Sequence, residues 1–556
     1  GDFVSSRFGK SPALAALVTI IALTAAIPYL SLQYKAVGTS IDVLTGSSAS
    51  HPAWFADPAF GVAILMAIFA ALFGTRQIDA TEHHEGVMLA IAFESVVKLL
   101  AFVAVGVFAL LHLDDAPPLD ATRLGDLRDV ASPSFAASSL LAAAAIFCLP
   151  RQFLVGVVEC ADPADLRTAR WLFPAYLAVF TAFVVPVVLA GLGAGLADTH
   201  HPDAFVLTLP MQHDATALAI LVFLGGLSAA TAMVIMASIA LATMMTNDLV
   251  MPALWRSRWQ GVATDVGVGR LVLRLRRIAI VLLAVLAYAY HRSISAPASL
   301  ASIGLLAFTA VAQFAPAILA GLYWRGATRE GVFWGLAAGY VIWIYGLLLP
   351  ALGVGSLVGF SLLNGWMLAT AANVLVMVAI SRLGGVSFRE RMKATDFLRG
   401  AQPVPGVADA GGARVGDLIA VTERILGAEA TEGALQEYCH QAGRPMPRPS
   451  EPADRGLLQS MERVLAGAIG ASSARLMLTH ALRGRGITAE EVAELLDETS
   501  QELRFSRQLL QATMENVSQG IAVADPEARI VAWNRRYLEM FDYPEGMVYV
   551  GRPVAD

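Results

Sequence analysis

Apolar residues fall into ten long blocks over the first 384 positions, near residues 12–41, 58–74, 86–111, 135–158, 171–196, 215–246, 277–292, 299–322, 331–350 and 364–381. At about 1.5 Å of rise per residue, helices of these lengths span most or all of a hydrocarbon core of about 30 Å. The pattern predicts about ten transmembrane helices. Beyond residue 414 the spacing changes to that of amphipathic helices near 415–442, 452–469 and 471–484, with RPMPRPSEP as a break. One charged helix follows from Thr488 to Val517. Val492, Leu496, Thr499, Leu503, Ser506, Leu510, Thr513 and Val517 alternate spacings of four and three, the seam of a short coiled coil or of a lone amphipathic connector. The chain then turns strand-like at Ile521–Ala524 and Arg529–Trp533, joined by DPEAR, before a helix from Asn534 to Phe541.

Composition supports two solvents for one chain. Of 556 residues, 56% are hydrophobic and only 15% charged, and mean hydropathy is +0.61, which excludes an ordinary soluble domain over most of the length. The net charge of −6 hides an asymmetry: charges are sparse before about residue 385 and dense after it. Arg7, Lys10, Arg76, Arg167, Arg170, the Arg256–Arg277 group, Arg325, Arg329, Arg382, Arg389, Arg391 and Lys393 fall on one side of the predicted membrane, and chiefly Arg123, Arg128 and Arg292 on the other. The positive-inside rule makes the first side cytoplasmic and puts both ends of the chain in the cytosol. Cys148, Cys160 and Cys439 are scattered and form no CxxC pair, so neither a disulfide framework nor a zinc site is expected. The chain starts at Gly1-Asp2 without methionine and stops at Asp556 inside a module, and so reads as a fragment truncated at both ends.

The candidate chemistry lies within the membrane blocks, where each polar group costs a few kcal/mol. The stretch from Asp214 to Asp248 carries Gly225, Gly226, Ser228, Ala229, Ala230, Thr231 and Ala232. Such small residues admit a neighbouring backbone, and Ser228 and Thr231, three apart, share one helix face. Their oxygens are either hard ligands for a small cation or packing residues bonded to the preceding turn. Glu94 and Lys98 stand four apart and read as a structural ion pair or a proton relay. The TRQIDATEHHEG segment puts Asp79, Glu82, His83, His84 and Glu85 at the cytoplasmic start of that helix, where adjacent histidines diverge by about 100° and make a poor metal pair. In FCLPRQF, Pro150 breaks the helix ladder, and Arg151 and Gln152 bring polar groups to the break. A broken helix lining a cavity is a transporter feature, and the alternative is an arginine snorkelling to the inner surface.

AFTAVAQFAPAILAGLYWRGATREG, residues 307–331, resembles the sodium:solute symporter family. DFVSSRFGKS, the segment around Glu82 and Gly86, FCLPRQF and the helix ending in TNDL are similar to that family in the same order, over most of residues 1–384. The resemblance implies a mostly-α, LeuT-like inverted-repeat fold with sodium coupling and alternating access. It also implies that the chain begins just before the third core helix. It makes Ser228 and Thr231 the nearest match to the family's sodium-binding hydroxyls on the eighth core helix, one turn from the expected Ala232 and Met233. Glu82 resembles the acidic residue near the start of the fifth core helix. Gln152 and Phe153 fall near the unwound sixth, and Glu82, Pro150, Arg151, Gln152 and Phe153 are the expected substrate or gating residues.

The cytosolic part completes the expectation. Residues 1–384 read as the symporter-like domain, 385–414 as a linker rich in Pro, Gly and Ala, and 415–486 as a helical bundle resembling the STAC domain. Residues 487–515 read as a signalling coiled coil, and 516–556 resemble the N-terminal part of an α/β PAS domain, most specifically in AWNRRYLEMF. This order resembles the transporter-linked sensor histidine kinases of the CbrA type. The resemblance implies the sensing and transport portion of a bacterial inner-membrane kinase, not itself an enzyme, whose phosphoacceptor and ATP-binding domains lie beyond Asp556. The partners implied are sodium, an amino acid such as histidine, membrane lipid, a second copy through the coiled coil and a response regulator, with no direct nucleic-acid contact. A non-transporting receptor and a plain symporter with a regulatory tail are the competing readings.

Overall fold

Hydroxyl caps start the membrane helices. Ser11, Ser132, Ser299, Thr328 and Ser361 each accept a backbone N–H from the first turn of the helix they precede, and Pro12 and Pro133 occupy first-turn positions that need no donor. The computed structural model describes residues 1–46, 53–73, 85–113, 132–160, 164–198, 200–256, 268–294, 299–354, 360–384, 409–442, 445–471, 474, 478, 522–524, 530–533 and 535–541. Glu82, His83, His84 and the whole expected coiled-coil seam lie outside them.

All ten apolar blocks are helical. After the short α1 (Asp2–Arg7) come α2 (Pro12–Thr45), α3 (Pro58–Phe73), α4 (Glu85–Leu111), α5 (Pro133–Cys148) with the one-turn α6 (Pro150–Phe153), and α7 (Asp165–Gly193). The short α8 (Phe205–Gln212), α9 (Thr216–Met244), α10 (Met251–Arg256), α11 (Val268–Ser293), α12 (Leu300–Val311), α13 (Ala315–Tyr323), α14 (Arg329–Trp343), α15 (Leu349–Ala351) and α16 (Leu362–Leu383) follow. Among the described residues, seven spans are long and apolar enough to cross a membrane on their own, and α5 with its continuation to Val158, taken as one span, makes an eighth. Helix α3 is shorter, and α11 is diluted by Arg270, Arg274, Arg276 and Arg277. The protein is thus mostly α and passes the membrane several times.

Helix α2 is the axis of the bundle. Its 34 residues make roughly 50 Å of helix, and α3, α9, α11 and α12 pack along it. Leu14, Ile21, Leu30 and Tyr34 on α2 are fully buried. Helices α14 and α16 form the tightest pair. Gly331, Gly335 and Gly339, spaced four apart, let the backbones meet: a Cβ at Gly335 would stand 2.8 Å from the Asn373 carbonyl oxygen. Large apolar side chains such as Phe93, Phe147 and Trp171 face outward, as a lipid-facing surface requires.

The segment after residue 408 folds as a small helical bundle with an added strand pair. Helices α17 (Val415–Leu426), α18 (Ala428–Ala442) and α19 (Arg455–Ile469) enclose Leu418, Ile425, Leu435, Leu458, Met461 and Leu465. Gly427, at φ +89°, makes the turn between the first two. The addition is a two-stranded antiparallel pair, β1 (Asp409–Arg414) with β2 (Pro452–Asp454), so the linker read from sequence ends in a strand. Near the C-terminus β3 (Ala522–Ala524) pairs with β4 (Ile530–Trp533), and α20 (Arg535–Met540) follows, as the alternation and the DPEAR turn predict.

Candidate functional site

Two helix interruptions converge on the middle of α2. Pro150 cannot donate into the α5 ladder, and α5 bends by 53° between Cys148 and Pro150. The second interruption, a 3-10 turn at Ala312–Phe314 between α12 and α13, packs against α5. Between them lies a cavity of about 20 Å³ lined by Ala22, Ala25, Ala26 and Tyr29 of α2, Leu149, Pro150 and Arg151 of the break, Ala237 and Leu241 of α9, and Val311. That is room for about one water, far below the few hundred Å³ of an occupied ligand pocket. Small alanines on α2 and α9 leave the walls free to part without a bulky side chain having to move. Arg151 is the charged residue among those lining the cavity, whose walls are otherwise almost wholly apolar, and its charge acts on Tyr29 and on Glu94.

A larger groove of about 410 Å³ opens between α4 and α9, lined by Glu94, Ile91, Leu227, Ser228, Thr231 and Ala232 among others. The two hydroxyls therefore do share a wall. The Thr231 hydroxyl donates to the Leu227 carbonyl at 2.7 Å, the bond expected of a packing residue, which leaves its oxygen able to accept. The Glu94 carboxylate accepts from Lys98 Nζ at 3.4 Å, with the side chains only 8% and 22% exposed. The helix-face pairing expected from their spacing of four is present, and it borders the groove. Oxygen donors from Ser228, Thr231 and Glu94 make one wall suited to a hard cation. The seam beneath it is close: a Cβ at Gly225 would approach Ala101 Cβ to 2.7 Å, whereas one at Gly226 would meet nothing within 4 Å.

The four residues of the break divide. Pro150 and Arg151 line the cavity. Phe153 turns toward α1, its ring centroid 5.9 Å from that of Phe3, and half-buried Gln152 is not among the cavity's lining residues. Glu82 lies outside the described residues.

Several polar groups near the second break escape a reading by sequence. Trp343 Nε1 donates to Thr309 Oγ1 at 2.9 Å, Gln313 Nε2 to Thr370 Oγ1 at 3.0 Å, and Asn373 Nδ2 to the Gln313 carbonyl at 2.8 Å. Thr309, Gln313 and Trp343 are completely buried. The network stabilises the backbone around Ala312–Phe314, where the α ladder is interrupted. The signal for it was present in AVAQFAPA: a glutamine deep in an apolar block, three residues before a proline.

Residues 514–556 match the PAS fold family model. Over 358 residues the chain is 23% identical to an uncharacterized symporter, YodF, of Bacillus subtilis (strain 168), an alignment that covers 61% of this chain and 65% of that protein. The chain thus spans just under two thirds of the length of the relative it matches.

Proposed function

We propose that this chain is the carrier and sensor portion of a bacterial sensor histidine kinase. It binds an amino acid, histidine among the candidates, together with sodium, and reports the event through its cytosolic bundle to two-component signalling. One observation supports the reading: in a chain similar to a symporter, two interrupted helices meet at a small cavity with Arg151 among its lining residues, and carriers use such breaks to present freed backbone groups and charge to a solute. Arg151 would take the solute carboxylate as a charge-assisted pair. Ser228 and Thr231 would bind sodium from the α9 side of the groove, with the Glu94 carboxylate of α4 as a further oxygen donor lining it. Alternating access would enlarge the closed cavity, and a solute that binds one carrier state more tightly shifts the population toward it. In this reading the C-terminal region lies in the cytosol beside a bacterial inner membrane, as the distribution of positive charge supports, and the coiled helix joins two copies ahead of the kinase.

The test is uptake of radiolabelled amino acids by proteoliposomes holding the full-length protein, with sodium or choline outside, beside autophosphorylation of the same protein. Sodium-dependent uptake with solute-sensitive phosphorylation supports the reading. Phosphorylation that responds without uptake identifies a receptor, and uptake without any phosphorylation identifies a plain carrier.

A further inference from the structure

The cytosolic bundle is fastened to the membrane domain at the point where the chain leaves it. Arg276 of α11, only 3% exposed, donates through Nη2 to the Ala468 carbonyl at 3.1 Å, in the last turn of α19. Two residues past that helix, the Ala471 N–H donates to the Asp2 carboxylate at 3.0 Å. Lys10, between α1 and α2, pairs with Glu462 of α19 at 3.1 Å, and the Glu462 side chain is 3% exposed. Gly470, at φ +83°, fits against the membrane domain so closely that a Cβ there would stand 3.0 Å from Asn247 Cβ. Met251 of α10 and Val272 of α11 are buried in the bundle's own apolar core. The bundle is therefore not a module on a tether.

The element under Gly470 is the π turn Met245–Val250 that extends α9. Thr246, Asn247 and Asp248 within it are buried, and Asp248 accepts the Thr19 hydroxyl of α2 at 2.7 Å. A single helix thus carries the Ser228–Thr231 wall, lines the central cavity with Ala237 and Leu241, and ends beneath the exit of the bundle. Isolated π turns inside helices recur at functional positions because their wider ring is easily rearranged.

We propose that the contact of Arg276, Asp2, Lys10 and Asn247 with residues 462–471 is an output latch: closed while the cytoplasmic side of the carrier is shut, and released when α1, α9 and α11 move apart. Because the latch grips three separate elements, it cannot keep every contact once any of them shifts, and packed interfaces respond to such shifts by switching between discrete arrangements. Release frees the last turn of α19 and with it the segment that leads to the PAS region. The proposal rests on the carrier reading above.

The experiment uses full-length protein in proteoliposomes, with Cys148, Cys160 and Cys439 replaced by alanine, cysteines at Lys10→Cys and Glu462→Cys, and a protease site placed within residues 400–408 so that a cross-link holds the two fragments together. Asp2→Cys with Ala471→Cys provides a second pair in case loss of the buried Glu462 carboxylate prevents folding. With sodium chloride and L-histidine, cross-linking falls about five-fold relative to choline chloride alone, the shift expected when a mostly closed population becomes mostly open. Uptake of labelled L-histidine is measured on the same vesicles. Uptake with unchanged cross-linking overturns the latch and leaves the carrier. Lost cross-linking without uptake keeps the latch as the output of a receptor and overturns transport. Neither response overturns both.

Discussion

Adjacent glycines in the small-residue run of α9 give a sharp test of the seam beneath the groove that Ser228 and Thr231 line. At Gly225 a methyl group would come within 2.7 Å of Ala101 Cβ and 3.5 Å of Lys98 Cα, so α4 and α9 must separate to admit it; at Gly226 it would meet nothing within 4 Å. Forcing a methyl into a packed contact costs about 1–3 kcal/mol, against about 1 kcal/mol gained wherever glycine in a helix becomes alanine. Gly226→Ala therefore stabilises by about 1 kcal/mol, while Gly225→Ala lies between roughly neutral and about 2 kcal/mol destabilising. The difference, about 1–3 kcal/mol, corresponds to roughly 1–4 °C between the two melting temperatures for a membrane region of this size, at about 2 cal/mol/K of unfolding entropy per residue. Thermal unfolding of the two variants in one detergent, followed by tryptophan fluorescence, measures it. Equal melting temperatures, or a higher one for Gly225→Ala, would refute the packing of α4 on α9 and with it the groove that Ser228 and Thr231 share with Glu94.

Other expectations are as direct. Lys98→Met leaves the Glu94 carboxylate buried without its partner and should cost about 3–5 kcal/mol, read as lost folded yield, which Glu94→Gln in the same chain should restore. Ser228→Ala should raise the sodium concentration for half-maximal uptake about ten-fold, the loss of one oxygen ligand worth about 1.4 kcal/mol, with expression unchanged; unaltered sodium dependence would return the hydroxyl to packing. Burial, and secondarily the charge of Asp454, push the Cys439 thiol above its ordinary pKa. The folded state thus favours the neutral thiol, so the stability this contributes is complete below the pKa of the unfolded thiol and declines as pH rises through the folded one. Alkylation of Cys439 should accordingly lag behind that of the unfolded chain through the mildly alkaline range; equal rates would contradict its burial.

What the sequence disclosed follows from the range of the forces involved. The helices of the apolar blocks were legible because lipid demands long apolar runs, although only seven, or eight with the bent pair, are long and apolar enough to cross a membrane among the described residues. The bend after Cys148 was legible because Pro150 removes a backbone donor. The pairing of Glu94 with Lys98 and the shared face of Ser228 and Thr231 follow from helical geometry alone. The interruption at Ala312–Phe314 carries a weaker mark, since Pro316 sits in the first turn of α13 and only begins a helix there. The strands of β1 and β2, DAGGAR and PAD, show no alternation of apolar and polar residues and were unreadable. Least visible was the docking of the bundle: Asp2 meets Ala471 across 469 positions, and no local periodicity encodes a contact at that separation.

The central claim is that the cavity between the two helix interruptions is where a solute carboxylate meets Arg151 during sodium-driven movement. The most direct measurement is accumulation of labelled L-histidine, with the other amino acids in parallel, by proteoliposomes of the full-length protein under an inward sodium gradient, comparing the natural sequence with Arg151→Gln. The account predicts accumulation that needs the gradient and falls at least about ten-fold in the variant, as expected for loss of a charge-assisted pair worth about 1.5–3 kcal/mol, with the melting temperature retained. Accumulation that Arg151→Gln leaves intact, or none for any amino acid, would contradict it.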